Sequence, residues 1–438
     1  MSTLLLIGAA SLFQMKNIIR YIFALLAALW YVIPVIAQEK SVPLLSEVET
    51  APRPLTPQEA VDRFARLPSV DSTNVAVLIT DLRTGRTIGE WNPRQPLIPA
   101  SIQKAVTTAT LLSIAGKDWR YRTDAYVTGP VHDGTLEGNI LIKASGDPSL
   151  NSAKTPFTPD FTADVETAII QKGIDSIAGR IIVDQSLFQG PAVPPTWARG
   201  DLPHAYGTGC HGFNFANNAS GKASVADPAG VFISRLTKAL AAKGIRIGGN
   251  EIRDGRKGLI SKHLSAPLDE IMRSCMMRSD NLYAEALLQT IPIAEGEEVS
   301  STGKALSIER NFWKKKRADM EGVEIFDGSG LSRSNRVTAR FMTDVLTRMK
   351  GDPYYASFFP LAGREGTLRS LLANTPLAEY IAMKTGSMNG IQCYAGYMLD
   401  DDYAPTHTVV IIVNRMKGAR YDVRKGVEQM LLTIFRPE

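Results

Sequence analysis

Three short clusters in this 438-residue chain carry residue types that could do chemistry together: Ser101-Ile102-Gln103-Lys104, Ser279-Asp280-Asn281 and Lys384-Thr385-Gly386. A serine hydroxyl is a weak nucleophile until a neighbouring base takes its proton. On a helix, residues three apart share a face, so Lys104 can bring its amine beside the Ser101 hydroxyl. Lysine serves as a base only when burial or nearby positive charge lowers its pKa, and Lys384 could supply that second charge. No histidine base is needed. The five histidines (His132, His204, His211, His263, His407) show no ligand spacing, and Cys210, Cys275 and Cys393 form no C-x-x-C pair. Neither a metal site nor a disulfide framework follows from such a pattern, and no cofactor is expected. Cys275, in an apolar helical stretch, reads as core, and Cys210, in the lead-in Gly209-Cys210-His211-Gly212, as packing.

Taken singly, each cluster is weak. Ser301-Thr302-Gly303-Lys304 repeats the S-x-x-K spacing, and Ser72-Thr73-Asn74, Ser149-Leu150-Asn151 and Ser387-Met388-Asn389 repeat S-x-N. Context separates them. Ser301 follows a polar acidic loop from Glu295 and lies after Ser279, whereas Ser101 has a proline-broken approach, an apolar helix behind it and both other clusters downstream. Lys384-Thr385-Gly386 occurs once, at the end of a strand-like run, where glycine lets a substrate lie against the backbone.

The elements that must position these residues are legible from periodicity. Thr56-Pro57 opens a short helix through Arg66, and Val75–Ile79 and Thr87–Trp91 form a hairpin turning at Thr84-Gly85. After Ser101, Ile102, Ala105, Val106, Ala109 and Leu112 mark one buried helical face that Gly116 closes. Between about Tyr121 and Asp254 the character changes to short strands, Gly/Pro turns and helices near 160–172 and 228–243, which predicts an inserted α/β domain over 121–254. A helical region from Pro267 carries Ser279. Strands return at 381–383, 395–398 and 409–413, before a helix striped by Val423, Val427, Met430, Leu431 and Ile434. Strands near both ends with helices between them predict an α/β (α+β) catalytic domain over 57–120 and 255–438, its one sheet closed by the two termini.

Hydrophobic residues at 44% and charged residues at 21% describe an ordinary globular chain, and a net charge of +5 is too small and dispersed to imply nucleic acid as a partner. From Met15 a basic start (Lys16, Arg20) precedes an apolar run, Tyr21 to Ala37, ending in the small-residue pattern Val35-Ile36-Ala37. That predicts a signal peptide over residues 1–37, a linker over 38–56 and a periplasmic mature protein. Cleavage, the choice of Met1 or Met15 as start, and a peripheral membrane association stay open.

In this order and context the clusters resemble the class C low-molecular-mass penicillin-binding proteins, D-Ala-D-Ala carboxypeptidase/endopeptidases. Pro99-Ala100-Ser101, Gly146-Asp147-Pro148-Ser149-Leu150, Ile182 to Phe188 and Asn214 to Asn218 resemble segments of that family. The run Asp327-Gly328-Ser329-Gly330-Leu331-Ser332-Arg333 matches a stretch that β-lactamases do not normally carry. The resemblance implies a β-lactamase/transpeptidase-like fold, peptidoglycan stem peptides as substrate and β-lactams as covalent inhibitors. It also implies roles. Ser101 would be the acylated nucleophile, Lys104 its base, and Ser279 a relay to the leaving D-alanine. Asn281 would bind the substrate amide, Lys384 and Thr385 in the Lys384-Thr385-Gly386 strand the terminal carboxylate, and the N–H groups of Ser101 and Ser387 the oxyanion. Arg333 is either a clamp for a side-chain carboxylate or a solvated surface arginine. The long gap from Ser101 to Ser279 implies one insert, with any second insert reduced or absent.

Two alternatives accompany this reading: a serine β-lactamase or esterase on the same fold, and a catalytically silent peptidoglycan-binding protein. The intact clusters argue against the silent form. Carboxypeptidase and endopeptidase stay undivided, since both cut after a D-alanine.

Overall fold

In the computed structural model, which describes residues 53–155, 159–253 and 255–435, Thr56 starts the first helix as its sequence dictates. Its hydroxyl accepts from the Glu59 amide at 3.2 Å while Glu59 reaches back to the Thr56 amide at 2.8 Å, a reciprocal cap on α1, Pro57–Ala65. The hairpin follows as β1 (Val75–Asp81) and β2 (Thr87–Trp91). A single 3-10 turn, Ala100–Ile102, then leads into α2, Gln103–Ala115, which Gly116 ends at φ 76°. The expected signal peptide and the expected linker up to residue 52 lie outside the described residues.

Here the sequence expectation needs correction. One buried face was expected for α2, yet every residue from Gln103 to Leu112 is buried. The threonines make this tolerable: Thr108 donates to the Lys104 carbonyl and Thr110 to the Val106 carbonyl, both at 2.8 Å. A helix buried all round is a central pillar, and Lys104 sits on it.

The stretch expected to be an insert contributes β3 (Arg122–Val127), β4 (Ile140–Lys143), α3 (Phe161–Gln171), β5 (Ile181–Asp184) and α4 (Pro228–Ala242), and β6 (Gly258–Leu264) follows it. Its main sheet has the order β6-β3-β4-β5, and α3 and α4 bury Phe161, Phe213, Phe215 and Phe232 in a core separate from the rest. The expected end of the insert at 254 falls short, because β6 returns to pair antiparallel with β3, His263 opposite Thr123. Only a pairing partner more than a hundred residues back reveals that strand.

The chain then returns through α5 (Leu268–Arg278), α6 (Asn281–Ala294), α7 (Thr302–Lys315), α8 (Ala339–Met349), β7 (Ile381–Met388), β8 (Ile391–Leu399), β9 (Pro405–Val413) and α9 (Arg420–Ile434). The five-stranded sheet runs β7-β8-β9-β1-β2, so the first and last long strands pair, Val75 opposite Val413. Both faces are covered. Ala76 and Leu78 of β1 enter the core around α2, α5, α6 and α8, while Val75, Val77 and Ile79 enter the core with α1 and α9. Burial on both sides is why these strands read as continuous apolar runs, each fully buried Val, Leu or Ile contributing about 1.5–3 kcal/mol.

Candidate active site

Ser101 lies in the 3-10 turn, where residues three apart eclipse one another, and Lys104 follows in the first turn of α2. The Lys104 amine reaches the Ser101 hydroxyl at 3.1 Å and donates to the Asn281 side-chain carbonyl at 2.6 Å and the Ser329 backbone carbonyl at 2.7 Å. All three partners are uncharged and Lys104 is fully buried. Burial lowers its pKa, opposed by the carboxylates of Asp327, Glu285 and Asp280. A lysine so placed can lose a proton and turn a lone pair toward the Ser101 hydroxyl. The turn owes its position to Ala100, held at φ 47°, a left-handed conformation costing about 1–2 kcal/mol outside glycine.

Ser279 does not lie within a helix, as the apolar run predicted. It caps α5 in the left-handed region (φ 57°), and Asp280 caps α6, accepting from the Tyr283 amide at 3.1 Å. Two helix ends meeting at one dipeptide turn the Ser279 hydroxyl toward Lys384, whose amine donates to it and to the Thr385 carbonyl, each at 2.8 Å. Lys384 is fully buried, and its pKa lies well below the usual lysine value, first through burial and then through the charge on Lys104. The two amines disfavour each other's charge.

β7 is the edge strand of the sheet, and its Thr385 hydroxyl meets Thr367 at 2.7 Å. The reason for Gly386 differs from the one expected. A side chain there would bring its Cβ within 2.6 Å of the Pro99 carbonyl and 3.1 Å of the Ser101 amide nitrogen. The protein's own serine turn lies against this backbone. Ser387, one residue on, is exposed.

The run 327–333 encloses two buried carboxylates. Asp327 accepts from the amides of Gly330 (2.8 Å) and Ser332 (2.6 Å) and from Asn335 (2.7 Å), and Glu285 accepts from the amides of Gly328 (3.2 Å) and Ser329 (2.8 Å). This wrapping aims the Ser329 carbonyl at Lys104. Gly330, at φ 79°, is required because a Cβ there would lie 1.9 Å from the Ala100 carbonyl. Burial, then Asp327, raises the Glu285 pKa to about 7. Glu285 was not singled out in the sequence, although it stands one helical turn after Asn281, a spacing that marks the same face.

The insert reaches the centre as well. The Asn281 side-chain amide donates to the Tyr206 carbonyl at 2.8 Å, and the Trp197 indole donates to Asp327 at 2.8 Å. Lys154 pairs with Asp280, and the Tyr283 hydroxyl meets Ser152 and Thr155, each at 2.8 Å. Ser101, Lys104, Ser279, Asn281, Lys384, Thr385 and Gly386 are thus brought together. Arg333 is exposed, and its backbone carbonyl accepts from Arg336 at 2.8 Å. Cys210 is buried against Leu282 and Ala286, as packing requires.

Sheet, central helix and a serine hydroxyl beside a buried lysine define the class, a serine enzyme of acyl transfer. The model of the D-Ala-D-Ala carboxypeptidase 3 (S13) family matches residues 57–220 and 208–433, and the chain belongs to that family. D-alanyl-D-alanine carboxypeptidase DacB of Haemophilus influenzae is 23% identical over 412 residues, 77% of this chain and 84% of that protein. Carboxypeptidase DacB of Mycolicibacterium smegmatis is 27% identical over 372 residues, 80% of this chain and 79% of that protein. The crystal structure of penicillin binding protein 4 from Haemophilus influenzae has the same fold, with a TM-score of 0.72 at 20% identity over 84% of this chain and 97% of that one.

Proposed function

We propose that this chain is a penicillin-sensitive D-alanyl-D-alanine carboxypeptidase and endopeptidase that trims peptidoglycan stem peptides. The observation that carries the reading is the Lys104 amine, buried among neutral partners and 3.1 Å from the Ser101 hydroxyl. In the reaction Ser101 Oγ attacks the carbonyl carbon of the penultimate D-alanine while neutral Lys104 takes its proton. Negative charge gathers on the carbonyl oxygen, where the Ser101 and Ser387 N–H groups receive it. The C–N bond then breaks. Ser279, hydrogen-bonded to Lys384, relays to the departing amine the proton that Lys104 took from Ser101, so that a serine ester remains and Lys104 is neutral again. Water attacks that ester, Lys104 takes a proton from it, and the C–O bond to Ser101 breaks with return of the proton to Oγ.

Asn281 positions the acyl-side amide, and Lys384 with Thr385 binds the free carboxylate of the substrate. The outer edge of β7 pairs with residues 360–362 as far as Met383, and beyond it the edge leaves backbone for an extended peptide. A β-lactam presents the same carbonyl and carboxylate, and its acyl-enzyme is long-lived. Two further parts of the reading rest on sequence. The basic start at Lys16 and Arg20 with the apolar run behind it supports export to the periplasm. The separate core and sheet of the insert support a discontinuous catalytic domain.

Mass spectrometry of purified muropeptides before and after incubation tests the activity, with loss of terminal D-alanine and loss of cross-links scored separately. Muropeptides left intact would overturn it. Labelled penicillin should stay bound for hours, whereas rapid release would mark a β-lactamase.

A further inference from the structure

A cleft of about 400 Å³ opens at one side of the reactive centre, with Ser279 and Asn281 in its wall. The opposite side comes from the insert: Lys154, the segment His204–Tyr206, and the turn carrying Lys222. Its charge is one-sided. Asp280 is the acid in the lining, and it is occupied twice over, by its ion pair with Lys154 and by capping α6. Lys222 and Arg278, both exposed, face the cleft with no acid left in the lining to balance them. Their lower wall is aromatic. The His204 and Tyr206 rings stack at 5.2 Å and 11°, and the Tyr206 hydroxyl is held by Asp201 at 2.9 Å.

The volume exceeds what a lone alanine needs and falls in the range of ordinary ligand sites. A cleft lined by one sign of charge gathers ligands of the opposite sign, and an arginine fork beside a lysine suits a carboxylate. The position says where such a ligand would sit. In the proposed reaction Ser279 gives its proton to the departing amine, so a cleft walled by Ser279 continues from the leaving-group side of the scissile bond.

We infer that this cleft is a subsite for the leaving peptide of a cross-linked substrate, recognising free carboxylates on that peptide through Arg278 and Lys222. The inference rests on the function proposed above and adds a preference to it. A leaving group that is D-alanine alone leaves the cleft empty. One that continues as an anionic peptide fills it, and the aromatic wall covers the peptide's apolar parts.

The test uses the full chain and three synthetic substrates that share one acyl donor. One releases D-alanine, one releases a peptide with further free carboxylates, and one releases the same peptide with every carboxylate amidated except the one next to the scissile bond, which Lys384 and Thr385 bind. The expected kcat/KM for the anionic peptide exceeds that of its amidated twin by about 5- to 10-fold at low salt, and added salt erodes the preference. Lys222→Glu with Arg278→Glu should bring the ratio to one or invert it. Should the double variant fail to fold, as a lost thermal transition would show, the salt dependence of the wild-type ratio and the milder Lys222→Gln with Arg278→Gln decide the matter. Equal rates on both peptides, or a ratio unmoved by the substitutions, would overturn the subsite while leaving the proposed function intact. No cleavage of any of the three would overturn the function, and the subsite with it.

Discussion

The chain contains the same four-residue pattern twice, and folding makes opposite use of it. At 101–104 the serine hydroxyl caps nothing and meets the lysine amine at 3.1 Å, with Lys104 fully buried. At 301–304 the Ser301 hydroxyl is the N-cap of α7, accepting from the Lys304 backbone amide at 3.4 Å. The Lys304 amine turns away to Glu297 at 2.6 Å, and its side chain is 38% exposed. Two causes divide the pair. Ala100 in its left-handed turn presents Ser101 ahead of the helix rather than as its cap. Three packed segments then take water and counter-ions from Lys104, whereas Lys304 keeps both. Spacing supplies a candidate, and burial supplies the base.

The largest effect that would break this contrast is at the hydroxyls. Ser101→Ala should abolish labelling by penicillin and lower turnover on the order of 10⁴-fold or more, read by gel fluorescence and muropeptide release. Ser301→Ala should leave labelling intact.

Next comes the amine. Lys104→Met should slow acylation by about 10²- to 10⁴-fold, measured by stopped-flow with a chromogenic β-lactam. It should also change how stability varies with pH. Unfolded, Lys104 holds its proton up to the ordinary value of 10.5; folded, it releases it at lower pH because it is buried. Between those two values the unfolded chain binds more protons, so wild-type stability rises with pH and drains away as acid is added. Methionine removes that slope, so the stability of the variant relative to wild type is greater at pH below the folded pKa than above 10.5, by about 1.4 kcal/mol per unit of pKa depression. Lys304→Met should show no comparable slope in the same urea titrations.

A smaller effect tests where the two helices touch. Glu309, on the helix that Ser301 caps, is buried against Thr110 of α2 at 3.2 Å, and burial pushes its pKa to about 8. From about pH 4.5 to about pH 8 the folded state keeps a proton that the unfolded state has lost, so this group makes the protein less stable as pH rises. Glu309→Gln should therefore stabilise near pH 8 and do little near pH 5, a difference on the order of 1–3 kcal/mol by chemical denaturation. Last, loss of the Ser301 cap in Ser301→Ala should cost about 0.5–2 kcal/mol of stability.

Much of the centre was legible because its parts are local. The helix after Ser101, the strand ending at Gly386 and the C-terminal stripe are each written in periodicity and in turn residues. What was misread was set by distant contacts. Ser279 was read as helical because Leu268–Arg278 and Asn281–Ala294 are apolar on both sides of it, and only the left-handed cap shows that the helix breaks there. The insert was ended at 254 because β6 alternates too weakly to announce itself; its pairing with β3 defines it. Gly386 was assigned to substrate, but its neighbour is the turn at Pro99–Ser101. Glu285 passed unnoticed because an acid on an apolar helix gains meaning only when the Gly328 and Ser329 amides arrive.

By itself the sequence determined the chemistry available to this protein: a serine and a lysine one turn apart, a second lysine on a strand, and the elements that carry them. Tertiary structure decided which of two identical spacings would be reactive, and added the carboxylates and insert contacts that aim the amine. Residue type and periodicity act over a few residues, and the chain states them directly. Desolvation of an amine depends on what segments hundreds of residues apart place around it, and that exists only once the chain has folded.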